Sequence, residues 1–267
     1  MSNLAITDHE FNAISQFFFA ESGIRLGVNK RSLVCGRLAP RLKALQIDKY
    51  GDYLHFIEAA QNELERQLAV DLLTTNETYF FREMRHFSFL QELLAQGWPG
   101  HVPQIWSAAS SSGEEPYSIA MVMAEQFGDS AWQVDASDLS LRMLDTATRG
   151  LYPLSRARDM PPALLKKYCL KGLGQYEGYL LLDEALRRRV QFRSHNLMEP
   201  VVTSKKYDVI FLRNVLIYFD AAGKKKIISN LIKVLQPDGY LFVGHSESLN
   251  GITEQLVSVR PAVYRFA

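Results

Sequence analysis

The apolar positions of this chain change rhythm once, and the change divides it in two. Up to about residue 80 they recur at helical spacing. Thr7 and Glu10 read as a capping box ahead of an apolar face made by Phe11, Ile14, Phe17 and Phe18. Leu33, Val34, Leu38, Leu42 and Leu45 continue the helical period. Pro40 should kink or split that segment, because it lacks an N–H and crowds the preceding turn. Amphipathic stretches at 52–60 and 63–73 follow, with no strand pattern between them. Beyond Trp98-Pro99-Gly100, short apolar runs alternate with helical ones. Strands are predicted at 104–108, 132–136, 207–212, at 240–244 after a Pro237-Asp238-Gly239 turn, and at 262–266. Helices are predicted at 117–127, at 139–148 and from an Asp220 cap to about 235. Such alternation implies βαβ units, hence a mostly parallel sheet with helices on both faces. Between about 155 and 195 the rhythm lapses into a Pro-Pro start, GLGQYEG and Arg187-Arg188-Arg189, which reads as an inserted subdomain.

Composition narrows the class. At 267 residues and 47% apolar, the chain can bury a core without disulfide staples, and it is not a disordered protein. A net charge of +1 excludes a uniformly basic polyanion binder. That value is a cancellation, however. Residues 22–47 hold Arg25, Lys30, Arg31, Arg37, Arg41 and Lys43 with no acid, so the remainder carries −5. Lys30, Arg37 and Arg41 fall on one helical face, which suggests docking of an acidic partner. Cys35 and Cys169 make no framework, and the six histidines show no ligand spacing, so no metal site is expected. The start, MSNLAITDHEF, lacks the basic and apolar regions of a signal peptide. The most apolar stretch, 207–219, is broken by Arg213 and Asn214 and is too short to cross a bilayer. A soluble cytoplasmic protein is the expectation.

The chemistry should lie where the first βα turn of the sheet approaches a ligand. That turn is Ala108-Ala109-Ser110-Ser111-Ser112-Gly113-Glu114-Glu115-Pro116. It matches neither G-x-G-x-x-G nor a P-loop, and it places two carboxylates where phosphate would sit. Acids at a helix start also complement its dipole, so the feature has a structural explanation too. A cationic ligand without phosphates fits, and S-adenosylmethionine is one. Asp138, roughly 20 residues on, is placed like the acid that binds ribose hydroxyls. It could equally cap the helix that follows. A nicotinamide enzyme and other α/β proteins stay open on these features alone.

Several long motifs now stand in order: TTNETYFFRE (74–83), WSAASSSGEEPYSIAM (106–121), ASDLS (136–140), HNL (195–197), YDVIFLRNVLIYFD (207–220) and LQPDGYLFVGHSESL (235–249). With them the sequence resembles the chemotaxis-receptor glutamate methyltransferases, the CheR family, over essentially its whole length. The resemblance implies an all-helical receptor-docking domain over 1–74. It implies a Rossmann-like S-adenosylmethionine-dependent methyltransferase domain over 75–267. That domain would include a linker motif at 75–88 and a small antiparallel β-subdomain at about 165–193. By the same resemblance, Asn76, Thr78 and Arg82 reach the cofactor and the reacting centre. Ala108 and Glu114 line the methionyl end, with Glu115 the alternative for the ammonium. Asp138 holds the ribose, Asn196 and Leu197 bracket the adenine, and Arg213 and Asn214 line the pocket. Tyr218 stands near the sulfonium with Arg82, and these two are the catalytic candidates. Pro40 departs from the family pattern in the basic helix.

The reaction so implied needs no general base, because a glutamate with a reference pKa near ~4.3 is already a carboxylate at neutral pH. Arg82 would orient that carboxylate and Tyr218 would pack or hydrogen-bond beside the transferring methyl. Without the motif, Arg82 reads as a partner of Glu77 or Glu83, and Tyr218 as core. The implied partners are methyl-accepting chemotaxis receptors, through their methylation helices and possible addition of a C-terminal tail as a strand near Gly172, Gly174 and Gly178. A monomer without nucleic-acid partner or membrane insertion is expected. The rival readings are a nucleic-acid methyltransferase and a non-catalytic cofactor-binding adaptor. Gly244-His245-Ser246-Glu247-Ser248 is like a nucleophile elbow but lacks its second glycine.

Overall fold

A computed structural model describes residues 5–98 and 101–267, so Pro99 and Gly100 of the boundary signal, and the first four residues, lie outside it. The N-terminal unit is helical: α1 (Asp8–Ser22), α2 (Arg31–Ala44), α3 (Tyr50–Glu58) and α4 (Glu63–Leu73). Thr7 and Glu10 close the predicted capping box, and Phe11, Ile14, Phe17 and Phe18 are buried as the periodicity requires. They share one core with Val34, Leu38, Leu42, Tyr53 and Val70. Pro40 does not split the helix, because α2 runs through it unbroken. Pro40 and Gly36, four residues earlier, are both exposed, so water can take the hydrogen bond that the missing N–H leaves unmade.

After α5 (Arg85–Ala95) come β1 (Ile105–Ser107), α6 (Glu114–Phe127), β2 (Val134–Asp138) and α7 (Leu141–Arg149). The irregular region supplies β3 (Leu151–Pro153), α8 (Pro162–Tyr168), β4 (Cys169–Lys171), β5 (Tyr179–Leu182), α9 (Glu184–Arg187) and β6 (Val190–Ser194). The chain closes with β7 (Tyr207–Leu212), α10 (Ala221–Ile232), β8 (Leu235–Val243), β9 (Leu256–Arg260) and β10 (Val263–Phe266).

Seven strands form one sheet in the order β6-β2-β1-β7-β8-β10-β9. The first five are mutually parallel, while β10 and β9 are antiparallel additions. A Rossmann-like sheet with a helical N-terminal domain is therefore the fold. Side chains alternate across it as strand geometry demands. Val209 and Phe211 of β7 join the core under α5 and α6, whereas Ile210 and Leu212 join the core under α10. The small antiparallel sheet, β3-β5-β4, takes its first strand from Leu151–Pro153, earlier than residue 165. Val190–Ser194 belongs to the main sheet instead, paired with β2. The Pro237-Asp238-Gly239 turn lies inside β8 as an irregularity, since register jumps from Tyr207↔Leu235 to Val209↔Tyr240.

Candidate functional site

The strand order reverses at β1, with β2 on one side and β7 on the other, and loops diverge there at the carboxyl ends of the strands. A cavity of about 430 Å³ opens at that place. Its walls come from the ends of β1 (Ala108, Ala109, Ser111), β2 (Asp138), β6 (His195, Asn196, Leu197) and β7 (Arg213, Asn214, Val215). The helical unit closes one side through Phe18, Ile24, Leu26 and Leu33. Among the described residues, several polar links hold the units together around it. Arg25 pairs with Asp220 at 3.1 Å, Asn196 donates to the Glu21 carbonyl at 2.9 Å, and Asp71 accepts the Arg142 N–H at 3.1 Å.

Asp138 accepts the Ser111 N–H at 2.8 Å and the Ser140 N–H at 2.9 Å, so it clamps two βα loops together. Ser140, rather than Asp138, caps α7. Burial raises the Asp138 pKa, against those hydrogen bonds. A carboxylate has about four acceptor sites, so two remain for a ligand hydroxyl. The first βα turn tightens at Gly113, whose φ of 96° is left-handed. A Cβ there would stand 2.7 Å from that of Ala147 and 2.9 Å from the Tyr152 hydroxyl.

The two glutamates beyond it differ. Glu115 lies on the cavity wall but is already engaged, by Arg213 at 2.9 Å and the Ser107 hydroxyl at 2.7 Å. Glu114 sits one layer behind the wall, 1% exposed, with the Ser112 hydroxyl at 2.7 Å and the Arg156 guanidinium no closer than 3.9 Å. Burial raises both pKa values. Glu114 is thus the less compensated charge.

The linker between α4 and α5 forms the remaining wall, with Asn76, Thr78 and Arg82 lining the cavity. Phe81 and Glu83 on either side of Arg82 have φ of 57° and 58°. Left-handed backbone at such residues costs ~1–3 kcal/mol each and persists only where surroundings impose it. Here Phe80 N–H donates to the Arg156 carbonyl at 3.1 Å and Phe81 N–H to the Ser118 hydroxyl at 2.9 Å. Arg82 is half-buried and donates to the Glu77 carbonyl at 2.6 Å, not to a carboxylate. Tyr218, also half-buried, faces the same cavity. Burial raises its pKa, against the pull of nearby Arg82 and Arg37. Of the predicted cofactor and catalytic residues, all but Glu114 meet on this one cavity.

The basic face looks different in three dimensions. Arg41 forms a bidentate pair with Glu65 at 2.9 and 2.6 Å, and Arg31 pairs with Asp8. Arg37 donates to the Leu73 and Thr74 carbonyls at 2.8 and 2.7 Å, holding the start of the linker. Lys30 lines the cavity mouth as an exposed cation.

Known proteins decide what this geometry belongs to. Residues 9–74 match the CheR methyltransferase all-alpha domain, and residues 76–264 match the CheR methyltransferase SAM binding domain. The chain belongs to the CheR methyltransferase family. It is 39% identical to the chemotaxis protein methyltransferase of Salmonella typhimurium over 98% of this chain and 91% of that protein. It is 38% identical to chemotaxis protein methyltransferase 2 of Pseudomonas aeruginosa over 97% of this chain and 93% of that protein. As a CheR methyltransferase it uses S-adenosylmethionine, and the donor set fits. Asp138 has acceptor capacity for a ribose, and buried Glu114 has the Arg156 guanidinium only at 3.9 Å. No helix among the described residues is long and apolar enough to cross a membrane.

Sequence reasoning gave Glu83 only as a partner of Arg82, which donates to the Glu77 carbonyl instead, and it assigned no role to Glu247, although both stand inside quoted motifs. Glu247 accepts N–H bonds from Asn214 at 2.8 Å, Gly244 at 2.6 Å and Ile217 at 3.3 Å. The Gly244 motif is thus a turn that fixes Asn214. A Cβ at Gly244 would fall 2.4 Å from the Asn214 amide nitrogen. No spacing could signal this, because the partners are brought together only by the sheet.

Proposed function

We propose that this CheR methyltransferase esterifies glutamate side chains of chemotaxis receptors. The observation that supports this best is the meeting of Arg82 and Tyr218 on one cavity with the cofactor-type elements Asp138, Asn196 and Ala108. S-adenosylmethionine supplies an electrophilic methyl, so that a carboxylate C–O bond forms as the sulfonium S–C bond breaks, leaving a methyl ester and a neutral sulfide. The chain's residues position the partners. Asp138 would take the ribose hydroxyls, and Asn196 with Leu197 the adenine. Ala108 would line the methionyl end, with Glu114 the acid for the ammonium, since Glu115 is already paired with Arg213. Asn76, Thr78, Arg213 and Asn214 complete the wall.

Arg82 reaches the cavity as a guanidinium that donates to the neutral Glu77 carbonyl, leaving its charge for an acceptor carboxylate. The acceptor arrives ionised, and holding it in line supplies several kcal/mol of effective molarity. Opposite charges vanish in the reaction, which a water-poor site favours.

For receptor docking, the cations not committed to ion pairs matter most: Lys30 at the mouth, and the Arg37 guanidinium beside Tyr218. Arg41 contributes through the helix it stabilises. A receptor C-terminal tail could add to β4, an edge of the small sheet whose Leu170 is exposed. Gly174 and Gly178 have φ of 57° and 82°, so turn geometry alone already accounts for them.

The test is methylation of receptor with labelled cofactor, read as base-labile methanol. The expectation is release with wild-type enzyme, near-total loss with Arg82→Ala in a folded protein, and slower methylation of a receptor lacking its tail. Base-stable label, or label in nucleic acid, refutes the ester reading. Unchanged activity of Arg82→Ala refutes the role of Arg82.

A further inference from the structure

The Glu83 side chain joins three segments that are remote in sequence. Its carboxylate accepts from Arg213 Nη2 at 3.1 Å, Asn214 Nδ2 at 3.1 Å and the His245 backbone N–H at 3.2 Å. These partners follow β7 and β8, whereas Glu83 belongs to the linker. Arg213 extends the chain of contacts, bonding the Arg82 carbonyl on one side and Glu115 on the other. The guanidinium is 1% exposed and is shared between two carboxylates. Asn214 is held twice, by Glu83 through its amide and by Glu247 through its backbone N–H. Burial would raise the Glu83 pKa, but Arg213, Asn214 and the His245 N–H outweigh it and hold it below the usual carboxylate value.

We propose that Glu83 is a positioning residue for the cofactor site: by holding Arg213 and Asn214 it latches the strained Arg82 segment onto the ends of β7 and β8. The inference rests on the placement of Arg213 and Asn214 at the cofactor. Without this carboxylate, the segment would keep Ser118 and Arg156 on one side and only the Arg213 bond to the Arg82 carbonyl on the other. Arg213 would then be held by that carbonyl and Glu115, and Asn214 would lose the bond to its amide. Both changes move the wall that Arg82, Arg213 and Asn214 form. Glu83, His86 and His245 also bring three ligand-type atoms within 4.8 Å of one another. A metal ion there would face the Arg213 guanidinium, 3.1 Å from the carboxylate it needs. Positioning therefore accounts for the cluster better than ligation.

The experiment is a double-mutant cycle on S-adenosylmethionine affinity, measured by titration calorimetry in the full chain. Glu83→Gln keeps the shape and removes the charge, and Arg213→Lys keeps the charge and removes the planar fork. Glu83→Gln should weaken binding ~10-fold or more. In the Arg213→Lys background the same change should cost several-fold less than in wild type, because the Arg213 contact is already weakened while those to Asn214 and His245 remain. A merely structural Glu83 would give equal effects in both backgrounds, and that result overturns the proposal. Wild-type affinity in Glu83→Gln overturns it too. Wild-type affinity in Arg213→Lys alone overturns the placement of Arg213 at the cofactor, and this inference with it. Should Glu83→Gln not fold, Glu83→Asp serves, since it keeps the charge but shortens the reach. It should bind several-fold more weakly than wild type, and equal affinity counts against the proposal.

Discussion

Asp138→Asn separates two roles that the structure gives to one carboxylate. Both oxygens accept backbone N–H bonds, from Ser111 at 2.8 Å and Ser140 at 2.9 Å. The amide keeps one acceptor oxygen and turns an NH2 toward the other donor. One loop N–H is then buried without a partner, which costs about 1–3 kcal/mol. Burial raises the Asp138 pKa, so removing the charge returns part of that loss, and the lower half of the range is expected. At ~2–4 °C per kcal/mol for a chain of this size, the melting temperature should fall by about 2–8 °C. The ribose contact is a separate quantity. Hydrogen bonds to a charged acceptor contribute ~1.5–3 kcal/mol, which is about 10- to 150-fold in affinity. Thermal melts read the first effect, and calorimetric titration with S-adenosylmethionine at pH 7 reads the second. Cofactor affinity within twofold of wild type would refute the ribose assignment. An unchanged melting temperature would refute the clamp.

His86 is buried among aromatic rings, and burial, reinforced by Arg213, lowers its pKa to about 3. The unfolded chain binds a proton there below ~6.5 while the native chain does not, so stability should fall as pH drops through that window. Between pH 7 and 5 this amounts to ~2 kcal/mol; urea unfolding of His86→Phe should lack that increment, and an identical pH slope counts against the reading. Arg41→Gln strands Glu65, which also accepts from Tyr53 at 3.0 Å, and should lower stability by ~1–3 kcal/mol. If the variant melts like wild type while receptor methylation drops, Arg41 is a docking residue and not a strut.

Much of this site was legible early because its parts are local. The capping box at Thr7 and the apolar face behind it depend on residues three and four apart, and the structure reproduces them. The small-residue turn at 108–113 and the acid ending the second strand are also short-range signals, and both reach the cavity. The misjudged features depended on neighbours. Pro40 lies on the exposed side of an α2 that continues through it, and the Pro237-Asp238-Gly239 turn became an irregularity within β8 because flanking residues kept their pairing with β7. Glu83 carried no recognisable signal, since its partners stand about 130 or more positions away.

Charge shows the division most plainly. The sequence by itself determined that six cations crowd into residues 22–47, and that a turn with two carboxylates opens the first helix of the sheet. Only the tertiary structure decided which of those charges are spent. Asp220, Asp8 and Glu65 pair with Arg25, Arg31 and Arg41, Glu115 shares Arg213 with Glu83, and Glu114 is left with little compensation. Periodicity is a property of neighbours along the chain, whereas an ion pair forms between whatever groups folding brings within a few ångströms.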